Sequence, residues 1–350
     1  MAVFRARRLA PVLALLAAAL VLAGCGSSTP SGSGESPTGE KRVITLYSGR
    51  NEALVGPLLK QFTEATGIEV AARYFDSAAL AAQIVEEGDN SPADVFFSQD
   101  AGALGALSKR GLLAKAPQPA FDAIGEKYRS DDGSWIGTSG RARVIVSNDA
   151  TLPPAEIPKS VFDLTDPKWK GRIGISTNNA SFQSFVTAMR ITAGEDRTKA
   201  WLAGLKANEP VVFPGNGPVV KAVNDGQVAL GLVNHYYLYE VGKEIGANNL
   251  KVRNNYLAGG DPGALVNVAG VGIVKSTKHG DLAAEFVSYM ASEPAQRYFA
   301  ESTTEYPLIK GVGTAPGLPA LEEIDGPEID LSDLDTLEVT LGMLREAGLL

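Results

Sequence analysis

The amino-acid sequence predicts an α/β fold whose sheets are mostly parallel and flanked by helices. Three observations lead there. Short apolar runs alternate with stretches whose apolar residues recur at helical spacing along most of the chain. The turns after the runs are small and polar, as in "SGRN", "SQD" and "STNNAS". The 350 residues, 45% hydrophobic and 21% charged, suffice for one large or two medium domains with sizeable cores. Strands separated by helices of this length are joined by crossovers, which makes them parallel.

The elements follow in order. "RVITLYSG" (42–49) is a first strand. "EALVGPLLKQFTEATG" (52–67) is a helix, because Leu54, Leu58, Leu59 and Phe62 share a face and Gly67 supplies the C-cap. "IEVAARYF" (68–75) is a strand, "SAALAAQIVEEG" (77–88) a helix, "ADVFFSQD" (93–100) a third strand and "GALGALSKRGLL" (102–113) a short helix. "WIGTSGRARVIVSN" (135–148) reads as a crossover strand into a second α/β unit, with a strand at 173–176 and a helix after "TNNAS". "GPVVKAVNDGQVALGLVNHYY" (217–237) is helix, turn, strand. "GALVNVAGVGIVKST" (263–277) reads as a strand pair, "DLAAEFVSYMASEPAQRYFAE" (281–301) as one amphipathic helix, and "DLDTLEVTLGMLREAGLL" (333–350) as a closing helix. Ligands of parallel sheets sit beyond the carboxyl ends of the strands. The loops at 48–51, at 98–100 and from 178 onward are therefore the candidate site loops.

The N-terminus is a targeting segment. Arg5, Arg7 and Arg8 form a basic start, a stretch of Leu, Ala and Val follows, and "LAGC" ends at Cys25, the only cysteine. The pattern is that of a lipoprotein signal peptide over 1–24, with Cys25 lipidated as the mature first residue. A Gly/Ser/Pro/Thr tether follows over 25–41. The expected location is extracytoplasmic, lipid-anchored to the cell membrane through Cys25. A single cysteine excludes disulfides within the chain and thiolate metal cages. The formal charge of −8, without basic runs after the signal peptide, argues against nucleic acid as a partner.

"LVNHYYLYE" (232–240) is the most unusual stretch. Aromatic residues make up 7% of the chain, yet Tyr236, Tyr237 and Tyr239 fall within four positions. Neighbouring side chains on a strand point to opposite faces, so two adjacent tyrosines can face one ligand only if the strand ends there. "YLYEVGKEIGAN" can start a helix and allows that ending. Phenolate is a hard donor suited to Fe(III), whereas buried rings with one bonded hydroxyl would be ordinary packing. Spacing alone leaves these two readings level.

The stretches "LYSGRNEAL", "AQIVEEGDNSPADVFFSQD", "GRARVIV", "VFDLTDPKWKGRIG", "AVNDGQVALGLVNHYYLY", "DPGALVNVAGVGIVKST" and "AEFVSYM" resemble the ferric-iron-binding proteins of bacterial ABC importers, in the family's order. The resemblance implies a two-lobed periplasmic-binding-protein (type II) fold with the cleft between lobes. The chain would cross near Arg143 and again near Asn267. Lobe I would comprise 42–143 plus about 268–312, and lobe II 144–267 plus about 313–350.

It further implies that Tyr236 and Tyr237 are the iron phenolates and that a synergistic anion, carbonate or phosphate, completes the coordination. Asn178, Asn179 and Ala180, with Asn216 and Asn234, match the anion-contacting positions. The chain departs from the family in lobe I. Asn51 stands where many members have histidine, and Gln99 where many have glutamate. Asn51, Gln99, Asp100 and Tyr47 are possible additional metal-site or cleft residues, although Asp100 suits a helix cap and both Tyr47 and Tyr74 suit a core. Arg141 and Arg143 alternate on one strand face; one could balance phenolate or anion charge, or form a structural salt bridge at the hinge. Tyr239 is assigned to packing. His235 is expected to point away from the cleft, and His279 to lie in a surface turn.

No Ser/His/Asp order, HExxH, phosphate-binding GxxxxGK[ST] or cysteine nucleophile is present. The function that the resemblance implies is that of a non-enzymatic, monomeric solute-binding component that delivers Fe(III) to an ABC permease. The alternative is a binding protein for a small organic solute, such as a phosphonate or thiamine, without metal. A periplasmic enzyme is the remote one.

Overall fold

The computed structural model describes residues 42–350; the signal peptide, Cys25 and the tether lie outside the described residues. The strands are β1 (Val43–Ser48), β2 (Glu69–Tyr74), β3 (Val95–Ser98), β4 (Trp135–Asn148), β5 (Ile173–Ile175), β6 (Val211–Val212), β7 (Leu230–Asn234), β8 (Val252–Asn255) and β9 (Val266–Ile273). The helices are α1 (Glu52–Thr66), α2 (Ser77–Glu87), α3 (Ala101–Lys109), α4 (Gln118–Ala123), α5 (Ala180–Ala193), α6 (Glu195–Ala207), α7 (Asn216–Asn224), α8 (Tyr237–Ile245), α9 (Gly280–Met290), α10 (Glu293–Ser302) and α11 (Leu337–Glu346).

Local sequence explains the first helix well. Asn51 caps α1 by accepting from the Ala53 N–H at 2.9 Å. Gly67, at φ 71°, ends it by donating to the Thr63 carbonyl. Between them Val55, Leu58, Leu59 and Phe62 are buried on one face.

The strands hydrogen-bond in the order β2-β1-β3-β9-β4-β7-β5-β6, with β8 also on β4. β2, β1 and β3 are mutually parallel, as are β7, β5 and β6. The antiparallel joins all involve β4 or β9. β4 links the two parallel groups. Up to Ala142 it pairs with β9, and from Arg143 onward with β7 and β8.

Three buried clusters follow from this arrangement. The first gathers Leu46, Phe62, Phe96, Trp135, Val271 and Phe286. The second holds Ile173, Phe185, Trp201 and Leu232. The third packs Val144, Val219, Val223 and Val233 beneath α7 and α8. Leu321, Leu331 and Leu334 join the first cluster, while Met343, Leu344 and Leu349 join the second. The stretch up to about 334 thus packs with the first parallel group, not with the second as the expected division at 313 implied.

Two further expectations need correction. The segment 263–277 forms one strand, β9, preceded by a single turn of 3₁₀ helix. Its glycines permit close approach and do not break the strand: a methyl group at Gly270 would lie 2.6 Å from the Ile136 carbonyl oxygen. The segment 281–301 forms two helices, because Pro294 in the first turn of α10 lacks the N–H needed to continue α9.

Candidate functional site

β7 ends at Asn234 and α8 begins at Tyr237, so only two residues turn the chain. Tyr236 already has helical dihedrals, φ −71° and ψ −21°. The alternation of a strand is therefore lost at this point, and the two rings stack with centroids 4.4 Å apart and planes inclined by 27°. Tyr236 is 2% exposed and Tyr237 is partly buried. Burial, followed by the neighbouring Tyr237, pushes the Tyr236 phenol well above its ordinary value and keeps it protonated. Only a strong Lewis acid could displace that proton at neutral pH.

Arg143 is the cation beside the pair. It is 2% exposed and packs against Phe182 and Phe185. Its partners are all neutral: Nη2 donates to the Leu232 carbonyl at 2.9 Å, and Nη1 to Ser181 Oγ at 3.1 Å and Asn234 Oδ1 at 3.4 Å. Burial lowers its pKa to about 9, and ionisation of Tyr237 or Tyr236 would raise it again. Arg141, equally buried, donates to the Gln99 carbonyl. Burial first, then Arg50, lowers its pKa, opposed by Glu305, Tyr236 and Asp100. Arg143 Nε and Arg141 Nε and Nη1 are buried without a partner among the described residues.

The asparagines converge through Ser181. Asn179 caps α5, accepting from the Ser181 N–H at 2.9 Å and the Ser181 hydroxyl at 2.6 Å. Asn216, the first residue of α7 and 1% exposed, donates from Nδ2 to Ser181 Oγ at 3.1 Å. Its Oδ1 is buried without a partner. Asn234 joins through Arg143. Ala180 begins α5, and Asn178 is exposed on the loop before it. Two helix N-termini, one guanidinium and three asparagines thus meet around one hydroxyl, a setting suited to an anion. The "TNNAS" stretch held the signal for Ser181, whose hub position needed the three-dimensional contacts.

The candidates from the first parallel group are placed differently. The Asn51 side chain is exposed and engaged as the α1 cap. Gln99 Oε1 accepts from Arg50 Nη1 at 3.1 Å. Asp100 caps α3, accepting from the Gly102 N–H at 2.9 Å; burial raises its pKa, opposed chiefly by Arg141. Tyr47 is 1% exposed, and its hydroxyl lies 3.0 Å from Glu87 Oε1. Tyr74 lies on the edge strand β2 and packs against the first cluster. His279 sits beside Asp94 at 3.1 Å on the surface.

Sequence reasoning missed the charge pair behind Gln99. Arg50 Nη2 reaches Glu305 at 2.8 and 3.0 Å, with both side chains fully buried. Ser139 donates to the same carboxylate at 2.8 Å. No local pattern signals a pair 255 positions apart. Burial alone would raise the Glu305 pKa, but Arg50 and Arg141 hold it below the usual carboxylate value.

His235 offers no lone pair to a metal. Its Nδ1 accepts the Ala142 N–H at 3.1 Å, and Nε2 lies 2.8 Å from the Thr304 carbonyl. Burial lowers its pKa to about 4, so the ring is neutral. Among the described residues, no cluster of three or more His, Cys, Asp and Glu side chains could hold a metal ion.

A family model described as bacterial extracellular solute-binding protein matches residues 90–325. The Fe(3+)-binding periplasmic protein of Serratia marcescens is 35% identical over 99% of both chains. The major ferric iron-binding protein of Neisseria meningitidis serogroup B is 33% identical over 87% of this chain and 93% of its own. Among solved structures, iron-bound HitA from Pseudomonas aeruginosa superposes with TM-score 0.82 at 36% identity, covering 87% of this chain and 99% of HitA. A Trichodesmium protein in complex with iron and citrate gives 0.77 at 29% identity, over 88% and 100%. The mixed sheet, its two parallel groups and these matches agree with the two-lobed binding-protein fold, and the chain belongs to the bacterial extracellular solute-binding protein family.

Proposed function

We propose that this chain captures Fe(III) outside the cytoplasmic membrane and delivers it to an ABC permease, with Tyr236 and Tyr237 as phenolate ligands. The observation that carries the reading is the stacked tyrosine pair at the β7–α8 turn, with Tyr236 buried, beside Arg143, a buried cation whose partners among the described residues are neutral. The names of the ferric-iron-binding relatives support the cargo.

The chemistry follows from the charges. Phenols are weak acids, and burial makes Tyr236 a weaker one still. Fe(III) displaces their protons, and the phenolates formed then compensate the Arg143 guanidinium. Two phenolates leave a trivalent ion short of negative charge. The Ser181 cluster, with Asn178, Asn179, Ala180, Asn216 and Asn234, would hold the synergistic anion, carbonate or phosphate, whose oxygens would also meet the unpartnered Arg143 Nε. Gln99 and Asn51 are committed to Arg50 and to the α1 cap, so the second parallel group supplies most of the binding.

Lobe I is then 42–142 with 266–334, and lobe II 143–265 with the chain end, following the partner switch of β4 and the core memberships. Bending of the crossing strands would close the cleft on the ion. The protein acts as a monomer, tethered through lipid on Cys25.

Ferric citrate added to the purified apo-protein tests the reading. A visible phenolate-to-iron charge-transfer band is expected, weakened or lost in Tyr236→Phe and Tyr237→Phe. Absence of any band, with thermal stabilisation by a phosphonate or thiamine instead, would favour a metal-free solute binder.

A further inference from the structure

His235 separates the anion-facing Asn234 from Tyr236, is fully buried, and is fixed at every polar atom. Its backbone N–H donates to the Ala142 carbonyl at 3.0 Å. Its backbone carbonyl accepts from Asn254 Nδ2 at 2.8 Å. In the ring, Nδ1 accepts the Ala142 N–H and Nε2 faces the Thr304 carbonyl. An acceptor at Nδ1 and a carbonyl opposite Nε2 together require the neutral Nε2–H tautomer.

Both partners occupy special places. Ala142 is the last residue of β4 to pair with β9 before the strand turns to β7. Thr304 is a non-glycine residue at φ 58°, a left-handed conformation that a branched side chain rarely adopts. The next two residues are Glu305, which carries the buried pair with Arg50, and Tyr306, which bridges to Gly140. The Tyr306 ring lies 4.7 Å from the His235 ring, and the Tyr236 ring lies 5.8 Å from it in an edge-to-face arrangement.

We infer that His235 is a positioning residue for the tyrosine pair: its imidazole clamps the β7–α8 turn between the β4 crossing and the strained Thr304 carbonyl, and so holds both phenols on one side. The inference rests on the phenolate reading for its consequence, but the clamp itself is independent of iron. Two hydrogen bonds fix the ring in both directions, and the ring in turn supports the edge of Tyr236. The same clamp joins the tyrosines to the Glu305–Arg50–Gln99 chain of the other parallel group. Without it, the two-residue turn keeps its sequence but loses the contacts that set where Tyr236 leads into α8.

His235→Phe keeps an aromatic ring and removes both ring hydrogen bonds. His235→Gln places an amide N–H where Nε2 lies and restores the donor to Thr304. Outer-shell partners of metal ligands change metal affinity by about 10- to 100-fold. Iron loss from His235→Phe to a chelator is accordingly expected to be at least about tenfold faster, with a shifted or weakened charge-transfer band, and His235→Gln is expected to recover most of both. Near-UV circular dichroism of the apo-protein reads the clamp without iron: the stacked Tyr236–Tyr237 signal should fall in His235→Phe and return in His235→Gln. A lower melting temperature with unchanged band, release rate and tyrosine signal would overturn the inference and leave His235 a stabilising residue only. If His235→Phe fails to fold, His235→Asn, which retains only the acceptor toward Ala142, takes its place with the same expected losses. A wild-type protein without an iron band, but with a tyrosine signal that depends on His235, would refute the iron reading and keep the clamp.

Discussion

Replacing Tyr236 by phenylalanine should remove one proton from the iron reaction and almost nothing from the core. The ring remains 2% exposed and stacked at 4.4 Å on Tyr237, so folding stability should change by no more than about 1 kcal/mol. The binding reaction changes more. A phenol with pKa of 10 or above is ionised to about one part in a thousand at pH 7, and removing its proton costs at least about 4 kcal/mol. Burial makes Tyr236 a still weaker acid. If both phenols become ligands, two protons leave per iron, and affinity rises about a hundredfold for each pH unit below the phenol range; with one ligand it rises about tenfold. Calorimetry of ferric nitrilotriacetate binding in two buffers of different ionisation enthalpy counts those protons, and the chelator's own protons cancel between variants. Wild type should release one proton more than Tyr236→Phe. Equal counts would show that the Tyr236 oxygen never meets the metal, and the phenolate argument would fail.

Three further perturbations separate the parts of the site. Arg143→Met removes the cation that the phenolates compensate; at an effective dielectric constant of 20, unit charges 4 Å apart interact by about 4 kcal/mol, so faster iron release is expected, while chemical denaturation should find the apo-protein no less stable. Glu305→Gln leaves Arg50 buried without its carboxylate and should cost about 3–5 kcal/mol in urea unfolding. The sign of its pH dependence follows from the depressed Glu305 value: the pair's contribution is complete above the ordinary glutamate range and is lost as pH falls through the lower folded value, so acid melts of wild type should be steeper there than those of the variant. Asn51→Ala should cost about 1 kcal/mol through the lost α1 cap, with iron affinity changed by less than about twofold; a large affinity loss would make Asn51 a site residue after all.

Much of the fold was legible because its signals are local. The apolar spacing of α1 between Asn51 and Gly67, and the switch from strand to helix at Tyr236, follow from periodicity and caps. What sequence could not give depended on distant contacts. The glycines of β9 look like breaks until Ile136 is seen against Gly270. The segment up to Leu334 carries no mark of which core it joins.

At the candidate site the same division holds. The tyrosine pair and the asparagine loop stand out by residue type. The convergence of Arg143, Asn216 and Asn179 on Ser181 joins three separate elements, β4, α7 and the start of α5. Asn51 and Gln99 occupy the expected loops, yet a cap and a buried arginine claim their side chains.

The most direct test is an iron-loaded crystal measured at the iron absorption edge. The anomalous difference map is expected to place one peak bonded to the hydroxyl oxygens of both Tyr236 and Tyr237, with anion density against Ser181 and Arg143. A peak bonded to neither tyrosine, or an organic molecule in the cleft with no iron peak, would contradict the central claim.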